Sequence, residues 1–362
     1  MKLMRSKVFY ANINNQKFTD DILIKLLEKT KFLDNLENND IVALKTHLNQ
    51  QNNINPYYIR ELVNALKNAN TKPFLTDTIK LHQNGMNKLE SAIKNDFNYS
   101  TVNCPTVIAD GLTGSNEYEV EINEEIFSNV KIAGDIHESD ALIVLTNIKA
   151  NPLIGIGGAI KNLAIECASY SGKKEIYKQA PPFIVKIRCL ACRECQERCL
   201  ENAISIDGFA KIDYDKCIGC NDCIESCPAH TIKLNIMNSE QFIESIAEYA
   251  TGTICNKKYN KVVYINFLTN ITPDYDYAGF DDKPIVDDRG ILISYDPVAI
   301  DHASYDLVNN QKGNQDSALL SNYDEGEDKF KGIRPNIDTQ LQLKKAENLR
   351  LGNIDYELIE LM

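Results

Sequence analysis

With 362 residues the chain can bury a large core and still form a second, smaller unit. Its formal charge of -12 and pI near 5.0 exclude a basic nucleic-acid groove, and acidity of this kind points to basic partners. No apolar run approaches the ~20 residues of a membrane span, and residues 1–16 lack the apolar region of a signal peptide. In chain order, residues 6–11 read as a strand and 19–36 as an amphipathic helix capped by Thr19 or Asp20. A strand follows at 41–48; Asn55 then caps a helix that opens with Pro56 and runs to about residue 68. Residues 73–76 are strand, 85–97 helix, and 106–110 an apolar run closed by Asp110-Gly111. Residues 141–148 read as a buried strand and 158–170 as a helix; beyond a cysteine-rich stretch come helix 239–250, strand 261–268 and a helix to 307 capped by Asp296-Pro297. Residues 309–331 are polar and acidic, a solvated loop, and a helix at 339–349 precedes 356–361. The alternation predicts an α/β fold, a mainly parallel sheet with helices on both faces.

Eight of the eleven cysteines stand in two runs of the form C-x2-C-x2-C-x3-C: Cys189, Cys192, Cys195, Cys199, and then Cys217, Cys220, Cys223, Cys227, followed by Pro228. Two-residue gaps let one tight loop present three thiolates to three irons of a cubane, the fourth ligand coming from elsewhere. Structural zinc sites use paired cysteines, and disulfide frameworks belong to small secreted chains. The flanks repeat as well, Cys199-Leu-Glu-Asn-Ala-Ile-Ser-Ile matching Cys227-Pro-Ala-His-Thr-Ile-Lys-Leu. The stretch resembles a bacterial two-cluster ferredoxin, with Leu200 in place of the usual proline of the first run. In that family the fourth cysteine of each run ligates the other cluster. The resemblance therefore implies two 4Fe-4S clusters, one on Cys189, Cys192, Cys195 and Cys227, the other on Cys217, Cys220, Cys223 and Cys199. It also implies an inserted ferredoxin-like α+β domain at 185–235, dividing an α/β body into 1–184 and 236–362. Cys104, Cys167 and Cys255 read as small buried hydrophobes, and reduced thiols with oxygen-sensitive clusters point to the cytoplasm.

Lys45, His47, Thr76, Asp77 and Asp110 fall within or just after predicted strands, and the carboxyl ends of parallel strands are where α/β sheets bind ligands. Lys45, His47, Asp77 and Asp110 are accordingly candidate catalytic groups in one crevice, although His47 alone reads more simply as a structural histidine. Gly155, Gly157 and Gly158 lie between a strand and a helix, where bare amides and the positive helix end can hold a phosphate or carboxylate, with Lys161 and Asn162 beside them. The loop lacks both the G-K-[ST] of a P-loop and the Rossmann spacing. Its other reading is a tight turn that lets helix and sheet approach. Asp296 reads as a helix cap and Asp301 as a surface or hinge carboxylate, unless the fold brings them to the same crevice.

Taken together, Val42-Ala-Leu-Lys45-Thr-His47, Thr76-Asp77-Thr78, Ile108-Ala-Asp110-Gly111, Gly155-Ile-Gly157-Gly158-Ala-Ile-Lys161-Asn162, Asn270-Ile-Thr-Pro273 and Gly290-Ile-Leu-Ile-Ser294-Tyr-Asp296-Pro297-Val-Ala-Ile-Asp301 resemble DUF362, a domain of unknown function that often carries an inserted ferredoxin. The resemblance covers essentially the whole chain. Three positions depart from the family pattern: Lys149-Ala150-Asn151 replaces Lys-Gly-His, Tyr275-Asp276-Tyr277 replaces Cys-Asp-Cys, and Asn49-Gln50 replaces Gly-Glu. The function expected is an iron-sulfur oxidoreductase that passes electrons to a small-molecule substrate or anion in the crevice. The alternative is a non-enzymatic carrier or redox-responsive binding protein serving a redox partner protein.

Overall fold

The computed structural model describes residues 5–13, 21–48, 54–273 and 283–361. The caps Thr19 and Asp20, Asn49-Gln50 and Tyr275-Asp276-Tyr277 lie outside them. In chain order the strands are β1 (Ser6–Asn12), β2 (Ile41–Lys45), β3 (Lys72–Asp77), β4 (Thr106–Ile108), the hairpin β5 (Glu117–Glu121) with β6 (Asn129–Ala133), β7 (Ala141–Asn147), and the hairpin β8 (Lys149–Asn151) with β9 (Gly155–Gly157). Then follow β10 (Phe183–Ile184), β11 (Ile204–Asp207), β12 (Phe209–Ile212), β13 (Ile232–Lys233), β14 (Val262–Leu268), β15 (Gly290–Ser294) and β16 (Tyr356–Glu360).

Eight of these form one sheet in the order β16-β1-β15-β14-β7-β2-β3-β4. β7 and β14 are near-continuous apolar runs, the pattern of strands covered on both faces. One face packs on the helices Ala159–Ala164, Ser239–Ile254, Pro297–Asn309 and Thr339–Asn348, the other on Ile22–Thr30, Pro56–Asn68 and Gly85–Lys94. The fold is thus α/β with a mainly parallel sheet. β15 alone among the eight runs against its neighbours, antiparallel to both β1 and β14. No helix among the described residues is long and apolar enough to cross a membrane.

Four local expectations change. The first helix ends at Lys31, whose left-handed φ of 56° stops it before a short 3-10 turn at Leu33–Asn35. The helix expected over 158–170 is two, Ala159–Ala164 and Tyr170–Tyr177, because Ser169 turns extended and caps the second by accepting from Gly172 N (3.1 Å). The segment 309–331 is not simply solvated: Lys329 is buried, and its ammonium donates to the carbonyls of Asn309 (3.3 Å), Asp324 (2.6 Å) and Glu327 (3.0 Å). Cys104 and Cys167 are buried, whereas Cys255 is exposed.

Between the two parts of the body, β10 pairs antiparallel with β13 and so draws together the ends of the cysteine-rich stretch. β11 and β12 form a hairpin within it. A small core of Cys195, Ile204, Ala210, Cys223, Cys227 and Ile232 fills the space between.

Candidate functional site

Each cysteine run carries two left-handed residues at matching positions, Ala191 (φ 53°) and Arg193 (φ 72°) in the first, Gly219 (φ 71°) and Asn221 (φ 68°) in the second. Such alternation turns successive amides toward a common concavity, the arrangement that receives sulfur anions in iron-sulfur sites. A short helix then begins in each run, Glu194–Arg198 and Asp222–Glu225. Cys189, Cys192, Cys195 and Cys227 line one cavity with Ile206 and Ile232, while Cys199, Cys217, Cys220 and Cys223 line another with Ile204 and Ile212. Each quartet takes three thiols from one run and one from the other.

All eight thiols are free of disulfides. Among the described residues no three of them lie within 4.8 Å of one another. Ala210 N donates to Cys189 Sγ, Ala203 N to Cys199 Sγ and Thr231 N to Cys227 Sγ, each at 3.3 Å. Burial pushes the free Cys220 thiol up to about 11, the cost of placing an uncompensated thiolate there.

The second cluster of chemistry lies where β2, β3 and β4 end. Lys45 closes β2 and Asp77 closes β3, and both side chains are fully buried. Asp77 Oδ1 meets Lys45 Nζ at 2.9 Å and Oδ2 meets Lys88 Nζ at 2.5 Å. The amides of Thr78 (2.8 Å) and Leu48 (3.1 Å) also donate to it. Burial opposes ionisation of Asp77, but Lys45, Lys88, His47 and Lys173 outweigh it and hold the carboxyl well below its ordinary range. Glu166 behaves likewise: burial raises it, His47, Lys173, Lys45 and Lys161 lower it more, and it falls to about 2. His47 Nδ1 lies 3.8 Å from Glu166 Oε2, and His47, Asp77 and Glu166 bring one ligand atom each within 4.8 Å. Lys45, Lys88, Lys161 and Lys173 surround the carboxyls of Asp77, Asp110 and Glu166, and both Asp77 oxygens are already engaged by ammonium groups.

Asp110 follows β4 and is buried. Its Oδ1 accepts from Ile79 N (3.0 Å), its Oδ2 has no hydrogen-bond partner, and burial pushes the carboxyl up to about 6. A carboxyl raised on folding costs stability as pH climbs from its ordinary value of 3.8 through 6. Asp110→Asn is therefore expected to stabilise the protein above pH 6 by about 1–3 kcal/mol in urea unfolding, with the gain vanishing toward pH 4. An equal effect at both ends of that range would contradict this account.

Lys88, Lys173 and Glu166 were not singled out from the sequence. Lys173 Nζ donates to Thr78 Oγ1 (2.6 Å) and Ile79 O (2.7 Å) from the helix Tyr170–Tyr177. The available signal was position: Lys88 shares the buried stripe of its helix with Gly85 and Ala92, and Lys173 shares its stripe with Gly172 and Ile176.

At the glycine loop the amides expected to hold a phosphate or carboxylate hold a side chain of the protein. Ala159 N and Ile160 N donate to Asp301 Oδ1 (2.7 Å) and Oδ2 (2.9 Å), and Asn266 Nδ2 donates to Oδ1 (2.8 Å). Asp301 is fully buried, not a surface or hinge group, and a Cβ on Gly158 would stand 2.3 Å from its Oδ1. Gly155, at φ 81°, faces Thr339, and the Gly157 strand pairs with Lys149. Asn162 ties the loop helix to β7 by donating to Leu145 O (3.1 Å) and Thr146 Oγ1 (3.0 Å). Lys161 is buried and acts on Glu166. The loop is thus a close-packing turn whose anion is internal. Asp296 is the expected cap, accepting from Val298 N and Ala299 N at 2.9 Å.

The thiol quartets and the charged cluster share a border. A cleft of about 270 Å³ is lined by Lys80, His82, Glu166 and Lys173 from the body and by Arg198 and Cys220 from the cysteine-rich stretch. His82 Nε2 stands 3.9 Å from Asp222 Oδ2, and Cys220 Sγ lies within 4.8 Å of both groups. One thiol of the second quartet therefore faces the same space as the buried lysine and glutamate.

The profile of a family described as "Domain of unknown function (DUF362)" matches residues 42–306. No curated protein matches the chain. Among solved structures, the lactate racemase apoprotein from Thermoanaerobacterium thermosaccharolyticum is similar with 11% identity and a TM-score of 0.41, over 99% of this chain and 83% of that one. A Thermotoga maritima protein is similar with 8% identity and a TM-score of 0.38, over 91% of this chain and 59% of that one.

Proposed function

The chain belongs to the DUF362 family of unknown function, and from that premise and the cleft geometry we propose that it is an iron-sulfur redox protein passing electrons to a small anionic molecule held in the cleft. The observation that carries this reading is that Cys220 lines the same space as Lys173 and Glu166. Two 4Fe-4S clusters, bound by the two cysteine quartets, supply single-electron transfer. The chain's own residues do the rest. Ala203, Ala210 and Thr231 amides stabilise thiolate charge. Lys173 and Arg198 provide cations for an anion, while the pairing of Asp77 with Lys45 and Lys88 fixes the end of β3 beneath it.

A second reading, a carrier or redox-responsive binding protein that leaves its ligand unchanged, is favoured by one observation: the carboxylates beside the cleft are neutralised internally by lysines. Single-turnover experiments separate the two. Anaerobic protein, reduced and mixed with small carboxylates or phosphate esters that carry a reducible carbonyl or activated alkene, is expected to be reoxidised by at least one of them, the clusters losing electrons that the reducible group gains, and Lys173→Met is expected to weaken its binding by about tenfold with unaltered cluster spectra. Binding without reoxidation selects the carrier. Neither thermal shift nor reoxidation with any anion defeats the anion site.

A further inference from the structure

The rim of the first quartet differs in sign from the rest of the chain. Residues 186–193 carry Lys186, Arg188 and Arg193 and no acidic residue, in a protein of net charge -12. All three are exposed, and among the described residues none forms an ion pair with a carboxylate. Lys186 lies 5.0 Å over the Phe209 ring. Between them stand Ile187 and Leu190, 92% and 69% exposed, and the exposed thiol of Cys192. Leu190 and Arg193 also line the first quartet's cavity, so the patch adjoins those thiols. An apolar centre within a charged rim is the form of a small, transient interface.

We propose that residues 186–193 are the docking surface for an acidic one-electron carrier protein, which reduces this protein at its first quartet while the second faces the cleft. In each encounter the carrier loses one electron and this protein gains one; no bond forms and no proton moves. The partner's sign follows from charge complementarity with Lys186, Arg188 and Arg193, opposite to what the overall acidity alone suggests. The inference rests on the iron-sulfur reading above.

The test uses the full chain with its clusters and, as probe, an acidic two-cluster ferredoxin. Calorimetric affinity and, with the probe reduced, the stopped-flow rate of electron uptake should both fall as salt rises. Combining Lys186→Glu, Arg188→Glu and Arg193→Glu should lower each by about tenfold or more at low salt, whereas Lys72→Glu, at the start of β3, should change neither. Ile187→Ser with Leu190→Ser should weaken affinity while preserving its salt dependence. Unchanged affinity and rate in the charge-reversed protein overturn the docking surface, as does salt-dependent binding to acidic phospholipid vesicles through these residues with the carrier unaffected. Reduced methyl viologen, a small cation, keeps the two readings apart: if it reduces the wild type, the clusters are present and only docking is at stake. If it leaves the spectrum unchanged, the iron-sulfur reading fails, while the calorimetric arm still decides docking.

Discussion

Replacing Cys227 with serine is expected to destroy the cluster on Cys189, Cys192 and Cys195, although Cys227 belongs to the other cysteine run. The reason is geometric: Cys227 lines the first cavity, whereas its neighbours Cys217, Cys220 and Cys223 line the second. Anaerobically isolated wild-type protein should be brown, with about eight iron and eight sulfide per chain. Cys227→Ser should lower both toward about half. Adding Cys192→Ser should then cause little further loss, because both changes strike one site. Paramagnetic resonance of the reduced variants checks the assignment. Loss confined to the second cluster would refute the crossed arrangement, and colourless wild-type protein carrying stoichiometric zinc would refute clusters altogether.

Asp77→Ala is expected to produce the largest loss of body stability, about 3–5 kcal/mol, because it leaves two buried ammonium groups facing a neutral methyl. The variant also strips a shared acceptor from Leu48 N and Thr78 N. Urea unfolding measures the effect, and a loss of less than about 1 kcal/mol would mean that Lys45 and Lys88 find other partners. The wild type should show a matching acid dependence. Carboxyls held below their ordinary values contribute stability that is complete above those values and lost as pH falls through the folded ones. For Glu166 that window runs from 4.5 down to about 2, and Asp77 loses its contribution below 3.8. Asp77→Ala should flatten the acid limb and remove little of it at neutral pH beyond the constant offset.

Much of this architecture is written in short-range chemistry. Asn55-Pro56 and Asp296-Pro297 announce their helices because cap and proline act within one turn, and both side chains accept the expected amides. Lys45 and Asp77 are legible as strand-end residues because each closes an apolar run that reads as a strand. Lys88 and Lys173 are harder, since a lysine on an amphipathic helix ordinarily covers the solvent face; only its phase against Ala92 or Ile176 shows otherwise. Asp301 is invisible for a different reason. Its partners at Ala159 and Ile160 lie more than a hundred residues upstream, and no local pattern encodes that meeting. The reversal of β15 is equally silent, because alternation of strands and helices carries no direction for a strand that begins at Gly290, well past the end of β14 at Leu268.

The place of β1 sets an order of events on the ribosome. Among the described residues it pairs only with β15 and β16, so the first strand of the described chain has neither neighbour until roughly four-fifths of the sequence has been made. Meanwhile β2, β3, β4 and β7 can already assemble from adjacent segments, and the cysteine-rich stretch can close on itself through β10 and β13. During synthesis Val8 and Tyr10, both buried in the finished protein, remain uncovered on an unpaired strand. A nascent chain halted before Gly290 is therefore a chaperone client and an aggregation hazard even with its central strands in register.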